Sequence, residues 1–233
     1  MAIYAIGDLH LSLDERIEKP MDVFGPSWMN HSQRLAENWR ATVTEDDLVI
    51  ICGDISWGLR LEEAMEDLLF VANLPGQKVL TKGNHDLWWA TVSKLNALDP
   101  RLVFLQNTAY KWKNVAICGT RGWICPGTDG FDAHDQKIYD RELLRLGMSI
   151  KAAKELEADT IIAALHYPPS NDKHQESGFT EMLSGEGIKT CVYGHLHGRD
   201  AFKNGYKGIW NGVDYKLVSL DYIDARPLKI WEE

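Results

Sequence analysis

AIYAIGDLH (residues 2–10) and LVIICGD (residues 48–54) decide the fold, because each is a short apolar run that ends in Gly-Asp. An unbroken apolar run bounded by glycine and a polar residue reads as a strand buried on both faces, as in the middle of a parallel sheet. The pattern recurs at Lys78–Thr81, Val115–Cys118, Thr160–Leu165 and Thr190–Tyr193. Between these runs Leu35, Trp39 and Val43 share one helical face, as do Leu61, Met65, Leu68 and Leu69. A longer helical pattern extends from about Gln136 to Leu156, with Gly147 as its weak point. Strand alternating with helix predicts an α/β fold with largely parallel central strands.

From Gly205 onward the chain changes to short strands and turns. Gly208–Trp210, the Asn211-Gly212 turn signal, Lys216–Leu220 and Leu228–Trp231 read as a sheet finishing, not as a new domain. There is no internal repeat, low-complexity run or long linker, so residues 1–233 are expected to form a single domain.

Composition narrows the function classes. Hydrophobic residues at 45% and charged residues at 25% are the balance of a soluble globular protein. No apolar run approaches the roughly 18 to 20 residues that span a bilayer, so no membrane partner is expected. A net charge of -9 disfavours nucleic acid as a partner held by phosphate neutralisation, without excluding a local basic patch. Cys52, Cys118, Cys125 and Cys191 form no CxxC pair and are expected to be reduced, buried thiols. Residues 1–6 already read as a strand leading into Asp8, which leaves no room for a cleavable signal and predicts a cytoplasmic protein.

The chemistry lies at the strand ends. Asp8, His10, Asp54, Asn84, His166, His195 and His197 are metal-capable side chains in five short segments: GDLH, GD, GNHD, a lone histidine and GHLH. In open α/β sheets the carboxyl ends of the strands point to one edge, where ligands bind, so the five segments converge. Glycines at 7, 53, 83 and 194 precede the donors and allow tight turns and close backbone approach. Each fragment alone is common: Asp-x-His is often a turn or cap, and Gly-Asp is an ordinary strand-to-turn dipeptide. Their order and placement carry the argument.

The series Asp-x-His, Gly-Asp, Gly-Asn-His-Asp, His, Gly-His-x-His resembles the calcineurin-like metallophosphoesterase family, with every signature position filled between Asp8 and His197. The resemblance implies an α/β four-layer sandwich, two mixed β-sheets flanked by α-helices, with a binuclear metal centre at one edge. It also implies that Asp8, His10 and His197 hold one ion, that Asn84, His166 and His195 hold the other, and that Asp54 bridges them. His85 then corresponds to the family's non-ligand histidine, which contacts the scissile phosphate and protonates the leaving oxygen.

Elementary chemistry agrees. Two divalent ions roughly 3.5 to 4 Å apart supply a hydroxide nucleophile for in-line attack and neutralise phosphoryl charge. Imidazole and carboxylate without thiolate suit two divalent or trivalent ions of Mn, Fe, Zn or Ni, and carboxylate suits bridging because its two oxygens can bind different ions. Asp86 is expected either to orient an imidazole or to cap a helix.

A small phosphorylated substrate, monoester or diester, is the expected partner. A nuclease, a cyclic-nucleotide phosphodiesterase and a non-catalytic scaffold binding protein partners are the alternatives. A protein phosphatase is disfavoured, because Ile-Ser-Trp-Gly follows Gly53-Asp54 where that branch has Tyr-Val-Asp-Arg-Gly. Specificity falls to the loops at 11–31 and 120–135. Arg60, Lys82 and Arg121 are candidate phosphate-binding residues. Trp28, Trp57, Trp88, Trp89 and Trp123 lie close to the motifs, most of them expected in the core and an exposed one available to stack a base. His31 and His134 are candidate substrate-facing histidines.

Overall fold

The computed structural model describes all 233 residues. The chain runs β1 (Ala2–Ile6), α1 (His31–Thr42), β2 (Leu48–Cys52), α2 (Leu61–Ala72), β3 (Gln77–Thr81), α3 (Val92–Leu95), β4 (Leu102–Phe104), β5 (Ala109–Trp112) and β6 (Val115–Thr120). It continues through α4 (Ala133–Lys154), β7 (Thr160–Leu165), α5 (Gly178–Gly185), β8 (Thr190–Tyr193), α6 (Gly198–Ala201), β9 (Gly208–Trp210), β10 (Val213–Leu217) and β11 (Leu228–Glu232). One sheet has the order β11-β1-β2-β3-β4 and the other β5-β6-β7-β8-β10-β9. The inner strands are parallel, and the antiparallel pairs β11-β1, β5-β6 and β10-β9 lie at the edges, so both sheets are mixed.

Side chains alternate between the faces of a strand, which explains why the apolar runs are unbroken. Ile3, Ala5, Leu48, Ile50 and Val79 of the first sheet pack against Ile117, Ile162, Ala164 and Val192 of the second. Their neighbours Tyr4, Ile6, Val49 and Ile51 face the other way, onto Leu35 and Trp39 of α1 and Leu68 and Val71 of α2. The outer face of the second sheet meets Leu146 and Ile150 of α4 and Phe179 and Leu183 of α5. Helices, sheet, sheet, helices make four layers, and both faces of each sheet are buried. No helix is long and apolar enough to cross a membrane.

Several local expectations need correction. Gly147 does not interrupt α4, which is continuous for 22 residues. A glycine costs a helix about 1 kcal/mol, less than is gained by burying Leu146 and Ile150 on either side of it. Leu69 is 46% exposed, so the buried face of α2 is Leu61, Ala64, Leu68 and Val71. The strand read at Lys216–Leu220 instead spans Val213–Leu217. The carboxy-terminal strands do not finish one sheet: β9 and β10 complete the second, while β11 returns to flank β1 in the first. Two strands carry too little signal to be read in advance, β4 with three residues and β5 with the edge pattern Ala-Tyr-Lys-Trp.

Asp67 of α2 is buried beneath the first motif, where it accepts hydrogen bonds from Leu13 N at 2.9 Å and Ser56 Oγ at 2.5 Å. Burial pushes its carboxyl up to about 6. A carboxyl whose folded value is raised stabilises the fold at low pH, and that contribution is lost as pH rises through the folded value. The wild type is therefore expected to gain about 2 kcal/mol relative to Asp67→Asn between pH 7 and pH 4. Urea titrations of both proteins across that range check it; parallel curves would exclude the effect.

Candidate metal centre

All five motif segments leave the sheets at the same edge, because their strands are parallel. Asp8 and His10 follow β1, Asp54 follows β2, and Asn84 follows β3; His166 follows β7, and His195 and His197 follow β8. The loops after β1 and β2 stay zipped together, with Asp8 N donating to Gly53 O at 2.9 Å and His10 N to Asp54 O at 2.9 Å. The two sheets are tied across the centre by His195 N, which donates to the Asp8 carboxylate at 2.9 Å.

This crowding bends the backbone. Asp8, His10, Asp54 and His195 have φ of 59°, 45°, 51° and 73°, the left-handed region that non-glycine residues seldom occupy. Such strain costs of order 1 kcal/mol or more per residue and persists where surrounding structure over-determines it. Glycine is needed at two points of contact. A Cβ at Gly83 would collide with Asp54 Oδ1, and one at Gly194 with Asp8 Oδ2.

The donors form two groups. His10 Nε2 lies 3.2 Å from His197 Nε2, and His197 Nε2 lies 3.7 Å from Asp8 Oδ1. His166 Nε2 lies 2.7 Å from Asn84 Oδ1 and 3.2 Å from His195 Nδ1, and His195 Nδ1 lies 3.0 Å from Asn84 Oδ1. Donors about 2.1 Å from a common ion stand roughly 3.0 to 3.4 Å apart at octahedral or tetrahedral angles, which matches most of these spacings. Asp54 stands between the groups, with Oδ2 at 3.8 Å from His10 Nε2 and 3.5 Å from His166 Nε2. Its Oδ1 instead accepts the backbone N–H of His85 at 2.8 Å. One Asp54 oxygen, rather than two, therefore faces both groups, unlike the expectation from the chemistry of a free carboxylate.

The protonation states suit a cation. His166 Nδ1 lies 2.9 Å from the Cys52 carbonyl, which can only accept, so Nδ1 carries the proton. Burial pushes His166 down to about 3, so the ring is neutral and Nε2 is a bare acceptor. It faces Asn84 Oδ1, which is also an acceptor. With the amide oxygen in that place two lone pairs stand 2.7 Å apart, an arrangement that a cation lying against both would relieve. On the other side, His197 Nδ1 donates to Asp221 Oδ1 at 2.9 Å, which leaves Nε2 directed at His10 and Asp8. Burial would lower His197, but the hydrogen bond with Asp221 and the charges of Asp8 and Asp54 outweigh it and raise the group. Burial also pushes Asp8 up to about 8 and Asp54 up to about 6, and His195 down to about 2. A divalent ion would pull the two carboxyls back down, and neutral His195 is already in the form that binds metal. Two Asp/His clusters, Asp8-His10-His197 and Asp8-Asp54-His166, thus have the donors of a binuclear metal site.

Two important residues have roles that the motifs do not announce. Asp221, on the turn after β10, orients His197; its only sequence signal is an acidic residue soon after a strand end. Asp86 neither orients an imidazole nor caps a helix, contrary to both expectations. Its buried carboxylate accepts from the backbone N–H groups of Asp54 at 2.9 Å, Ile55 at 2.8 Å and Gly83 at 2.7 Å, and from Trp88 Nε1 at 3.1 Å. It clamps the turn after β2 to the turn after β3.

His85 is exposed and stands apart from the donors, its ring 5.7 Å from His10 and 4.4 Å from Trp57. It opens onto a cavity of about 350 Å³ lined by His10, Met21, Phe24, Trp28, Trp57 and His197. The 11–31 loop therefore forms one wall of the centre. Trp57 stacks on His10 at 4.7 Å, whereas Trp88 and Trp89 pack in the core with Phe104. His31 is not substrate-facing: it is buried, with Nε2 at 3.3 Å from the His10 carbonyl. His134 is exposed at the start of α4. Arg60 is exposed at the start of α2 and lines neither this cavity nor the cationic one beside it, so nothing places it at the phosphate. Arg121 lies one strand from His166, its carbonyl accepting from His166 N at 3.1 Å. Lys82 shares a cavity with it. All four cysteines are free and buried.

Similarity to known proteins follows the same lines. A protein of unknown function from Aquifex aeolicus has a similar structure, with a TM-score of 0.53 at 15% identity, covering 98% of this chain and 95% of that one. Phosphopantetheinyl hydrolase from Mycobacterium tuberculosis is similar with a TM-score of 0.57 at 12% identity, covering 100% of this chain and 96% of its own. At these identities the likeness shows the fold alone. The gene 66 protein of Mycobacterium phage D29 is 36% identical over 84 residues, a match that spans 36% of this chain and 40% of the phage protein. The family model for calcineurin-like phosphoesterases matches residues 1–199. With that match over most of its length, the chain belongs to the calcineurin-like phosphoesterase family.

Proposed function

We propose that this protein is a metal-dependent phosphoesterase that hydrolyses a small-molecule or nucleotide phosphate ester. The observation that carries the reading is the convergence of His166 Nε2, Asn84 Oδ1 and His195 Nδ1 within 2.7 to 3.2 Å of one another beside Asp54. Asp8, His10, His197 and Asp54 would hold one ion, and Asn84, His166, His195 and Asp54 the other. Imidazole and oxygen donors without thiolate favour Mn, Fe, Zn or Ni. When bound, the ion pair supplies a hydroxide nucleophile at neutral pH and neutralises charge on the phosphoryl oxygens.

The chain's own residues do the rest. Asp221 fixes the tautomer of His197, so that Nε2 faces inward. Asp54, held through Oδ1 by the His85 N–H, keeps Oδ2 between the two groups. His85, at the mouth of the cavity, contacts the phosphoryl group and gives a proton to the leaving oxygen. Met21, Phe24, Trp28 and Trp57 form an apolar wall for the organic part of the substrate, and this wall supports a small or base-bearing ester over a polymer. The net charge of -9 supports the same choice. Free thiols support a cytoplasmic setting.

Release of p-nitrophenol from p-nitrophenyl phosphate and bis-p-nitrophenyl phosphate with Mn present tests the reading. Protein that binds its metal and releases nothing from either ester would count against it. His85→Ala is expected to lower kcat by roughly 10² to 10⁴-fold while metal content stays at the wild-type level. A parallel loss of metal would instead make His85 part of the centre's scaffold.

A further inference from the structure

A second cavity, of about 240 Å³, lies at the sheet edge that carries the donors, where β3 and β6 end. Lys82, Arg121, Arg141 and Arg145 line it, with one carboxylate, Glu142. In a chain of net charge -9 this is a concentrated positive site. The buried Glu142 accounts for only part of the charge: it accepts from Arg145 at 2.6 Å and from Thr120 Oγ1 at 2.5 Å, with Arg121 3.7 Å away. Arg141 and Lys82 have no carboxylate at ion-pair distance, and the buried Nε of Arg121 has no hydrogen-bond partner. Four cations around one pocket, with one carboxylate among them, leave a net positive charge that favours a further anion.

The placement links this pocket to the chemistry. Lys82 is two residues before Asn84, and the Arg121 carbonyl accepts from His166 N and Tyr167 N at 3.1 and 2.9 Å. Adjacent strands are about 4.8 Å apart, so Arg121 at the end of β6 is one strand spacing from His166 at the end of β7. The volume is below the roughly 300 to 1,000 Å³ of a pocket that encloses a drug-sized ligand, and suits one anionic group. Guanidinium forks match the paired oxygens of a phosphate.

We propose that Lys82, Arg121, Arg141 and Arg145 form a second anion subsite that holds a further phosphate of the substrate while the scissile phosphate lies at the metal centre. The proposal rests on the phosphoesterase reading for its role, though the anion site itself does not. The substrate class is then a compound with two separated phosphates, of the kind of a nucleoside bisphosphate. Arg141 is exposed on α4 and bonded to nothing, so replacing it does not threaten the fold.

The deciding experiment is calorimetric titration with inorganic phosphate, of the protein as purified and again after chelation of metal. Wild type is expected to bind phosphate in both states, and Arg141→Glu to weaken binding to the chelated protein at least tenfold. No binding by chelated wild type, or equal binding by Arg141→Glu, would overturn the subsite. A kinetic arm separates the two readings. The ratio of kcat/KM for adenosine 3′,5′-bisphosphate to that for adenosine 5′-phosphate is expected to fall at least tenfold in Arg141→Glu. If neither these nucleotides nor the nitrophenyl esters are turned over by the metal-loaded protein while phosphate binding still depends on Arg141, the phosphoesterase reading fails and the anion subsite stands.

Discussion

Asp54→Asn is expected to lower turnover of p-nitrophenyl phosphate by at least about 10³-fold, or ~4 kcal/mol of transition-state stabilisation. It is also expected to lower bound metal per chain, with the fold retained. The amide has the shape of the carboxylate but offers one oxygen instead of two. If its oxygen takes the place of Oδ1 it keeps the His85 N–H at 2.8 Å, and an NH₂ then points at His10 and His166 where a ligand atom is needed. If the amide flips, NH₂ opposes the His85 N–H and the loop carrying Asn84 shifts. Either orientation also removes the one negative charge that stands between the two donor groups. The turn itself survives, because Asp86 holds the backbone N–H of residue 54 whatever its side chain. Metal analysis, turnover and far-ultraviolet circular dichroism on the same sample check the three parts. Wild-type metal content with wild-type turnover would show that Asp54 does not join the two groups.

The second large effect is one of stability. Asp86→Ala is expected to cost roughly 3 to 9 kcal/mol, because it strands the buried N–H groups of Asp54, Ile55 and Gly83 at about 1 to 3 kcal/mol each. Total stability of a domain is about 5 to 15 kcal/mol, so the loss is a large part of the whole. A fall in melting temperature of at least roughly 6 °C follows at about 2 to 4 °C per kcal/mol. Asp86→Asn keeps one acceptor oxygen and is expected to fall between wild type and alanine. The wild-type carboxyl bears its own strain: burial pushes it up to about 7 against the pull of its backbone donors. Metal affinity is expected to fall with stability in the alanine variant, although Asp86 touches no ligand side chain, because the turns carrying Asp54 and Asn84 lose their clamp. Thermal melts with and without Mn check this. A melting temperature within 2 °C of wild type would mean that water satisfies the three N–H groups.

Much of the centre was legible in the residues because its signals are local. A strand buried on both faces must be apolar throughout, and a backbone pressed against a carboxylate must be glycine, as at Gly83 and Gly194. Those constraints leave a visible pattern of apolar run, glycine and donor. Asp86 and Asp221 leave none. Asp86 sits inside a motif yet serves the backbone of another loop 32 positions earlier, and Asp221 acts on a histidine 24 positions earlier. Arg60 and Arg121 looked equivalent, each a cation past a strand end. Only the packing of β6 against β7 put Arg121 beside His166, while Arg60 went to the exposed start of α2. Gly147 misled because intrinsic helix propensity is weak beside the burial of its neighbours.

The sequence by itself determined the α/β alternation and the strand ends at which the candidate donors stand, since periodicity and glycine spacing are written in neighbouring residues. Tertiary structure alone decided the geometry. Asp8 and His195 are 187 positions apart and in different sheets, and only the stacking of those sheets lets His195 N bond the Asp8 carboxylate at 2.9 Å. The same stacking buries His166 until it is neutral and aims its bare nitrogen at Asn84. Distance along the chain says nothing about which lone pairs will meet; strand order and the side-chain period of two settle it.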